Sequence, residues 1–173
     1  MVRAALATKR RIGRGPTPFA AYLPAASVVA ASLLAALPIV ATNGWFPNFG
    51  FLVLFGWRLL RSDPWPPWWA APMGFLNDLI TGMPIGLSVT LWSATMLALD
   101  LIDRRTMWRD YWIEWALAAL FIAIDQWSQW RIAAAMGARV PFSAMAPAIA
   151  ISICMFPVSA WLVSRIDAWR LGR

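Results

Sequence analysis

Residues 142–164 of the chain read FSAMAPAIAISICMFPVSAWLVS and contain no charged side chain before Arg165. The hydrocarbon core of a bilayer is about 30 Å thick, and a helix needs about 20 mostly apolar residues to cross it. This stretch therefore predicts a membrane-spanning helix. A second uncharged, Ala-, Leu- and Val-rich stretch at residues 23–42 predicts another, so the chain is expected to be an integral membrane protein.

The composition excludes several classes of protein. The 173 residues are 61% hydrophobic and only 13% charged, against about 25% charged in a typical soluble domain. The sequence has no histidine and one cysteine, Cys154. A Ser-His-Asp triad, a histidine-ligated metal and an intrachain disulfide are therefore excluded. Because no Gly-rich phosphate loop or nucleophile–base pair is recognisable either, we predict a non-enzyme without cofactor or metal.

The apolar pattern predicts one membrane domain over residues 1–173. Residues 1–20 form a basic cytoplasmic tail, and residues 68–82 are a short or kinked span because Pro72 disfavours a regular helix interior. The fold class is thus an all-α polytopic membrane protein, a bundle of six transmembrane helices. The expected spans cover about 23–42, 47–61, 68–82, 85–102, 112–130 and 142–164.

The charge distribution sets the orientation. With the N-terminus inside, all of the 15 basic residues except Arg131 and Arg139 lie on the cytoplasmic side. This agrees with the positive-inside rule and predicts an N-in, C-in topology. Most tryptophans, Trp57 among them, are expected at membrane interfaces. The net charge of +7 is explained by topology, and no nucleic-acid partner is expected.

Residues 74–86, GFLNDLITGMPIG, hold the most distinctive polar residue, Asp78. A carboxylate in a span costs about 2.5–3.5 kcal/mol on insertion scales, so it needs a partner. One hypothesis is a buried contact that fixes a bundle or a docking surface. The other is a structural carboxylate that accepts backbone N–H groups of the next helix across the turn. Gly82, Pro84 and Gly86 suit a tight turn, with ligand contact as the alternative.

Asp125 and Gln129 are a second candidate pair, in the outer half of the fifth span. They are spaced i,i+4 and therefore share one helix face. They could line a small cavity or hydrogen-bond a neighbouring helix. Arg131 is a possible ion-pair partner for Asp78 or Asp125. Near the inner face, Asp100 and neighbouring charges are interpreted as interfacial.

The centre of the chain resembles the rod shape-determining protein MreD family. The matching positions open the second span, end its aromatic run and surround the turn: Pro47, Trp57, Gly74, Asp78, Gly82 and Gly86. The resemblance implies a non-enzymatic, multi-pass inner-membrane subunit of the bacterial elongation machinery (elongasome), which helps to position or regulate peptidoglycan synthesis and cell shape. It also implies a fold similar to the substrate-binding subunit of energy-coupling-factor transporters. The implied partners are MreC and, in the wider complex, RodA, an elongation-specific penicillin-binding transpeptidase and the MreB filament.

A solute-binding subunit of a vitamin-type transporter is the alternative function. The same scaffold would support it, with a site lined by Asp78, Asp125, Gln126 and Gln129. A carrier should show converging polar groups near the outer face, whereas a docking subunit should show an apolar or lipid-filled groove.

Overall fold

The computed structural model describes residues 22–37, 47–60, 66–105, 111–137 and 141–170. These ranges are mostly helical and contain no strand, which is the all-α class. Short 3-10 turns, Leu34–Ala36 and Pro67–Trp69, follow the first helix and precede the third. The α-helices of the described ranges are α1 (Leu23–Leu33), α2 (Phe49–Leu60), α3 (Ala70–Thr81), α4 (Leu87–Arg105), α5 (Tyr111–Ala135) and α6 (Phe142–Arg170).

Each expected span overlaps one of these helices, but the lengths differ. The helices α1, α2 and α3 have 11, 12 and 12 residues, whereas α4, α5 and α6 continue past the expected ends at residues 102, 130 and 164. Residues 1–20, 38–42 and 61 of the expected tail and spans lie outside the described residues. Within the described part of the chain, one helix, over Met145–Arg170, is long and apolar enough by itself to cross a membrane.

Helix α2 is the centre of the bundle. Every residue from Gly50 to Arg58 is buried, as expected for a helix that is apolar on all sides. It packs mainly on α1 and α6, and its aromatic rings reach the other helices. The Phe55 ring lies 5.9 Å from that of Phe121 in α5 and 5.7 Å from that of Phe156 in α6. One short helix therefore holds the longer ones together.

The start of α2 differs slightly from the expectation that Pro47 opens it. The helix begins at Phe49 and is capped by Asn48, whose Oδ1 accepts the backbone N–H of Phe51 at 3.2 Å. An Asn side chain in that position satisfies a backbone donor that has no partner within the helix. Pro47 consequently precedes the cap and is itself buried.

Helix α3 is short, as expected, and it is continuous through Pro72. Pro72 is the third residue of the helix, where a backbone N–H would have no partner within the helix. The missing donor therefore costs nothing at that position, and the helix continues to Thr81.

At the other end of α2, one buried arginine pairs with two partly exposed aspartates, whose side chains are 32% and 21% exposed. Arg58 is only 3% exposed and its Nη2 lies 3.0 Å from Asp103 Oδ2 and 3.6 Å from Asp100 Oδ1, both in α4. Asp100 also pairs with Arg104, four residues later in the same helix, at 2.9 Å. These pairs tie α2 to α4 at the predicted cytoplasmic end.

Candidate functional site

The corner between α3 and α4 is built around the Asp78 carboxylate, which is 1% exposed. Its Oδ2 accepts the backbone N–H of Gly86 at 2.9 Å, and its Oδ1 accepts that of Ser88 at 2.9 Å. The start of a helix has unpaired N–H donors and a positive dipole end, and a carboxylate satisfies both. The hypothesis that Asp78 bonds the next helix across the turn is confirmed.

The turn between the two helices uses the left-handed backbone that glycine adopts easily. Gly82 ends α3 with φ of 67°, and Gly86 precedes α4 with φ of 103°. Between them, the Pro84 carbonyl accepts the N–H of Leu87 at 3.1 Å. The turn interpretation of these residues agrees with this geometry.

Gly74 allows the two helices to touch. A Cβ placed on Gly74 would lie 2.7 Å from the backbone of Ser88 and Val89 in α4. Beside this contact, Asn77 Nδ2 donates to Ser88 Oγ at 3.0 Å. Ser88 was not among the predicted site residues, although a Ser in the first turn after Gly86 is a helix-start signal.

Asp125 and Gln129 form a second buried group, together with Asn48. Asp125 is 2% exposed. Its Oδ2 accepts Gln129 Nε2 at 2.7 Å and Asn48 Nδ2 at 3.5 Å. The expected pairing within α5 is therefore present, and Asn48 adds a link from α5 to α2. Asn48 was missed, although an Asn directly before an apolar run is typical of a helix cap.

Arg131 does not serve as the partner of either carboxylate. Its guanidinium carbon lies 5.9 Å from the ring centre of Trp127, one helical turn earlier. Within the described residues, no ion pair joins Arg131 to Asp78 or Asp125. Each buried carboxylate is instead held by uncharged donors.

Several buried polar atoms between these two groups have no hydrogen-bond partner among the described residues. A Cβ on Gly50 would collide with Ser32 Oγ and would lie 3.2 Å from Asn77 Oδ1 and 3.1 Å from the ring of Trp92. The indole N–H of Trp92 also interacts with the Asp125 carboxylate, although their distance and angle fall short of a full hydrogen bond. The unpartnered atoms are Ser32 Oγ, Asn77 Oδ1, Trp92 Nε1 and Asp125 Oδ1.

Trp57 is buried rather than interfacial, with no exposed surface. Its Nε1 donates to Ser27 Oγ of α1 at 2.8 Å, and the guanidinium carbon of Arg170 lies 5.6 Å from its ring centre. The indole N–H finds its partner inside the bundle, which removes the reason for an interfacial position. Trp57 thus connects α1, α2 and the end of α6.

The Trp57–Ser27 hydrogen bond gives a first prediction. We expect Trp57→Phe to lower the free energy of unfolding by about 1–2 kcal/mol, because it removes a net hydrogen bond worth about 0.5–1.5 kcal/mol and leaves a small cavity. A double-mutant cycle with Ser27→Ala, measured by unfolding of the purified protein, should show coupling of about 1 kcal/mol. Strictly additive effects would show that the two side chains do not interact.

The two groups of residues define a polar layer on the α3–α4 and α2–α5 sides of the bundle. One corner brings together Gly74, Asp78, Gly82, Pro84 and Gly86, and another brings together Asp125 and Gln129. Trp57 lies apart from both corners, near the opposite end of α2.

No family model matches the chain, and neither a curated protein nor a solved structure matches it. The chemistry of the described residues is hydrogen bonding and helix positioning, built on carboxylates, amides and hydroxyls.

Proposed function

We propose that this protein is a non-enzymatic, multi-pass inner-membrane subunit of the bacterial rod complex, in which it docks MreC. The observation that carries the proposal is the α3–α4 corner. Residues that underlie the resemblance to the MreD family, Gly74, Asp78, Gly82 and Gly86, converge there on one capped turn. Motif residues that build one structural feature together support the resemblance better than identical residues scattered through the fold would.

All six helices are proposed to span the membrane, with both termini inside. The three long helices have 19, 25 and 29 residues, enough for the core thickness at about 1.5 Å per residue. The shorter α1 to α3 need their flanking segments to complete the crossing. Large apolar side chains lie on the outside of the bundle, where lipid would cover them. They include Leu79, Leu97, Leu101, Leu120, Ile124, Val158 and Leu162.

In this proposal the bundle holds the transmembrane helix of MreC and orients its periplasmic part towards the peptidoglycan synthases. RodA, the elongation-specific transpeptidase and the MreB filament belong to the wider complex. The Asp78 corner would fix one end of α3 and α4, so its role is positioning. The buried Arg58 pair and Trp57 would fix the opposite end of α2.

Depletion of the protein in its own host tests the proposal. Rod-shaped cells should become swollen or round as the protein is lost, and MreC should co-purify with a tagged, functional copy. Imaging of cell shape and a pull-down from solubilised membranes measure the two outcomes. Unchanged shape after complete depletion would overturn the proposal.

A solute-binding transporter subunit is the second candidate, and one observation favours it. The buried, unpartnered polar atoms around Gly50 and Asp125 converge from several helices, as polar groups in a ligand site do. In that case depletion would leave shape intact and abolish uptake of a small solute, and Asp125→Asn would reproduce the uptake defect.

A further inference from the structure

An apolar groove of about 420 Å³ opens between α2, α5 and α6 at the end of the bundle that is predicted to be cytoplasmic. Its surface includes Gly56 and Leu60 of α2, Trp115 of α5, and Ala160 and Trp161 of α6. The groove lies beside the last described turn of α2, next to the second half of α6 and the start of α5. Gly56 and Ala160 are small, so the floor of the groove is close to backbone.

A cation lies at the edge of this groove. The guanidinium carbon of Arg165 is 5.4 Å from the ring centre of Trp161, one helical turn earlier in α6. Trp161 is 58% exposed. Within the described residues, Arg165 has no ion-pair partner. Glu114, which also lines the groove, lies near the start of α5, so the charged groups share the end expected at the headgroup level.

We propose that the groove binds one anionic phospholipid, with an acyl chain between α5 and the packed pair of α2 and α6, and with the phosphate on Arg165. The inference rests on the membrane location in the proposed function. An apolar channel that ends at an unpaired cation complements an anionic amphiphile, because the chain buries apolar surface and the guanidinium binds phosphate oxygens. Trp161 holds the guanidinium in place by a cation–π contact.

Lipid titration of the purified full-length protein, followed by native mass spectrometry, tests this assignment. The probe is palmitoyl-oleoyl phosphatidylglycerol added to delipidated protein in detergent. Arg165→Gln and Ala160→Leu should each weaken retention of one lipid at least fivefold. Arg131→Gln is the matched control, because Arg131 stacks on Trp127 with the same i,i+4 spacing at the other end of the bundle, and it should bind as wild type.

Two results would overturn the proposal. One is wild-type lipid binding by Arg165→Gln, a variant that leaves the packing between helices unchanged even if Ala160→Leu folds poorly. The other is that Ala160→Leu binds lipid as the wild type does but no longer co-purifies with MreC. That result would show that a helix of the partner, and not a lipid, occupies the groove. Lipid binding is measured on the purified protein, whereas the rod-complex function is tested in cells. A negative lipid result would therefore contradict the lipid site without contradicting the proposed function.

Discussion

Replacing Gly74 with alanine is expected to destabilise the protein by about 3 kcal/mol, the upper end of the usual cost of overpacking. The added Cβ would lie 2.7 Å from the carbonyl carbon and oxygen of Ser88 and from the nitrogen of Val89. These are backbone atoms, which cannot rotate away as a side chain does. Moving α4 would also lengthen the hydrogen bonds from Ser88 and Gly86 to Asp78. Thermal unfolding of the detergent-purified protein measures the effect.

Gly82 supplies the matched control for Gly74. It has φ of 67° and no atom within 4 Å of its would-be Cβ. In Gly82→Ala the only cost is that of holding alanine in the left-handed conformation, which should destabilise the protein by about 1–2 kcal/mol. Gly82→Asn should destabilise it less, because asparagine tolerates that conformation. From highest to lowest, the predicted melting temperatures are those of the wild type, Gly82→Asn, Gly82→Ala and Gly74→Ala. A melting temperature of Gly74→Ala equal to or higher than that of Gly82→Ala would contradict the close approach of α3 and α4.

The local parts of this structure were predictable because their causes lie close together in the chain. Mostly apolar runs predicted the helices, and the Asp78 caps involve residues only eight and ten positions away. The Asp125–Gln129 pair follows from helical spacing alone. In each case the geometry of a single helix or turn decides which groups meet, and that geometry is contained in the sequence.

The long-range parts were not predictable for a physical reason. In the lipid surroundings that the proposed function requires, an apolar residue would suit the bundle interior and the lipid surface equally well. Hydrophobicity therefore could not identify α2 as the central helix or place Trp57 in the interior. The Arg58 pair with Asp103 joins distant segments, and nothing in the spacing of charges selects that pair over an interfacial position.

Asp78→Ala is expected to lower the free energy of unfolding by about 2–3 kcal/mol. The variant would leave the N–H groups of Gly86 and Ser88 without their acceptor in a buried corner. Loss of a helix cap costs about 0.5–2 kcal/mol, and a hydrogen bond to a charged group is worth about 1.5–3 kcal/mol. Asp78→Asn keeps one oxygen acceptor and should fall between wild type and Asp78→Ala. Unfolding of the three purified proteins under identical conditions gives the order.

The same pair of variants separates the two hypotheses for Asp78 in cells. If the carboxylate is structural, the shape defect of each variant should follow its loss of accumulated membrane protein, and extra expression should restore rods. If Asp78 also contacts a partner, Asp78→Asn should give round cells and lose MreC at normal membrane levels. Its burial behind the α3–α4 turn, at 1% exposure, favours the first outcome, because a side chain enclosed by its own backbone partners has no surface left for another protein. If Asp78→Ala melted at the same temperature as the wild type, the hydrogen bonds of Asp78 would not stabilise the fold, which would contradict the structural role under either hypothesis.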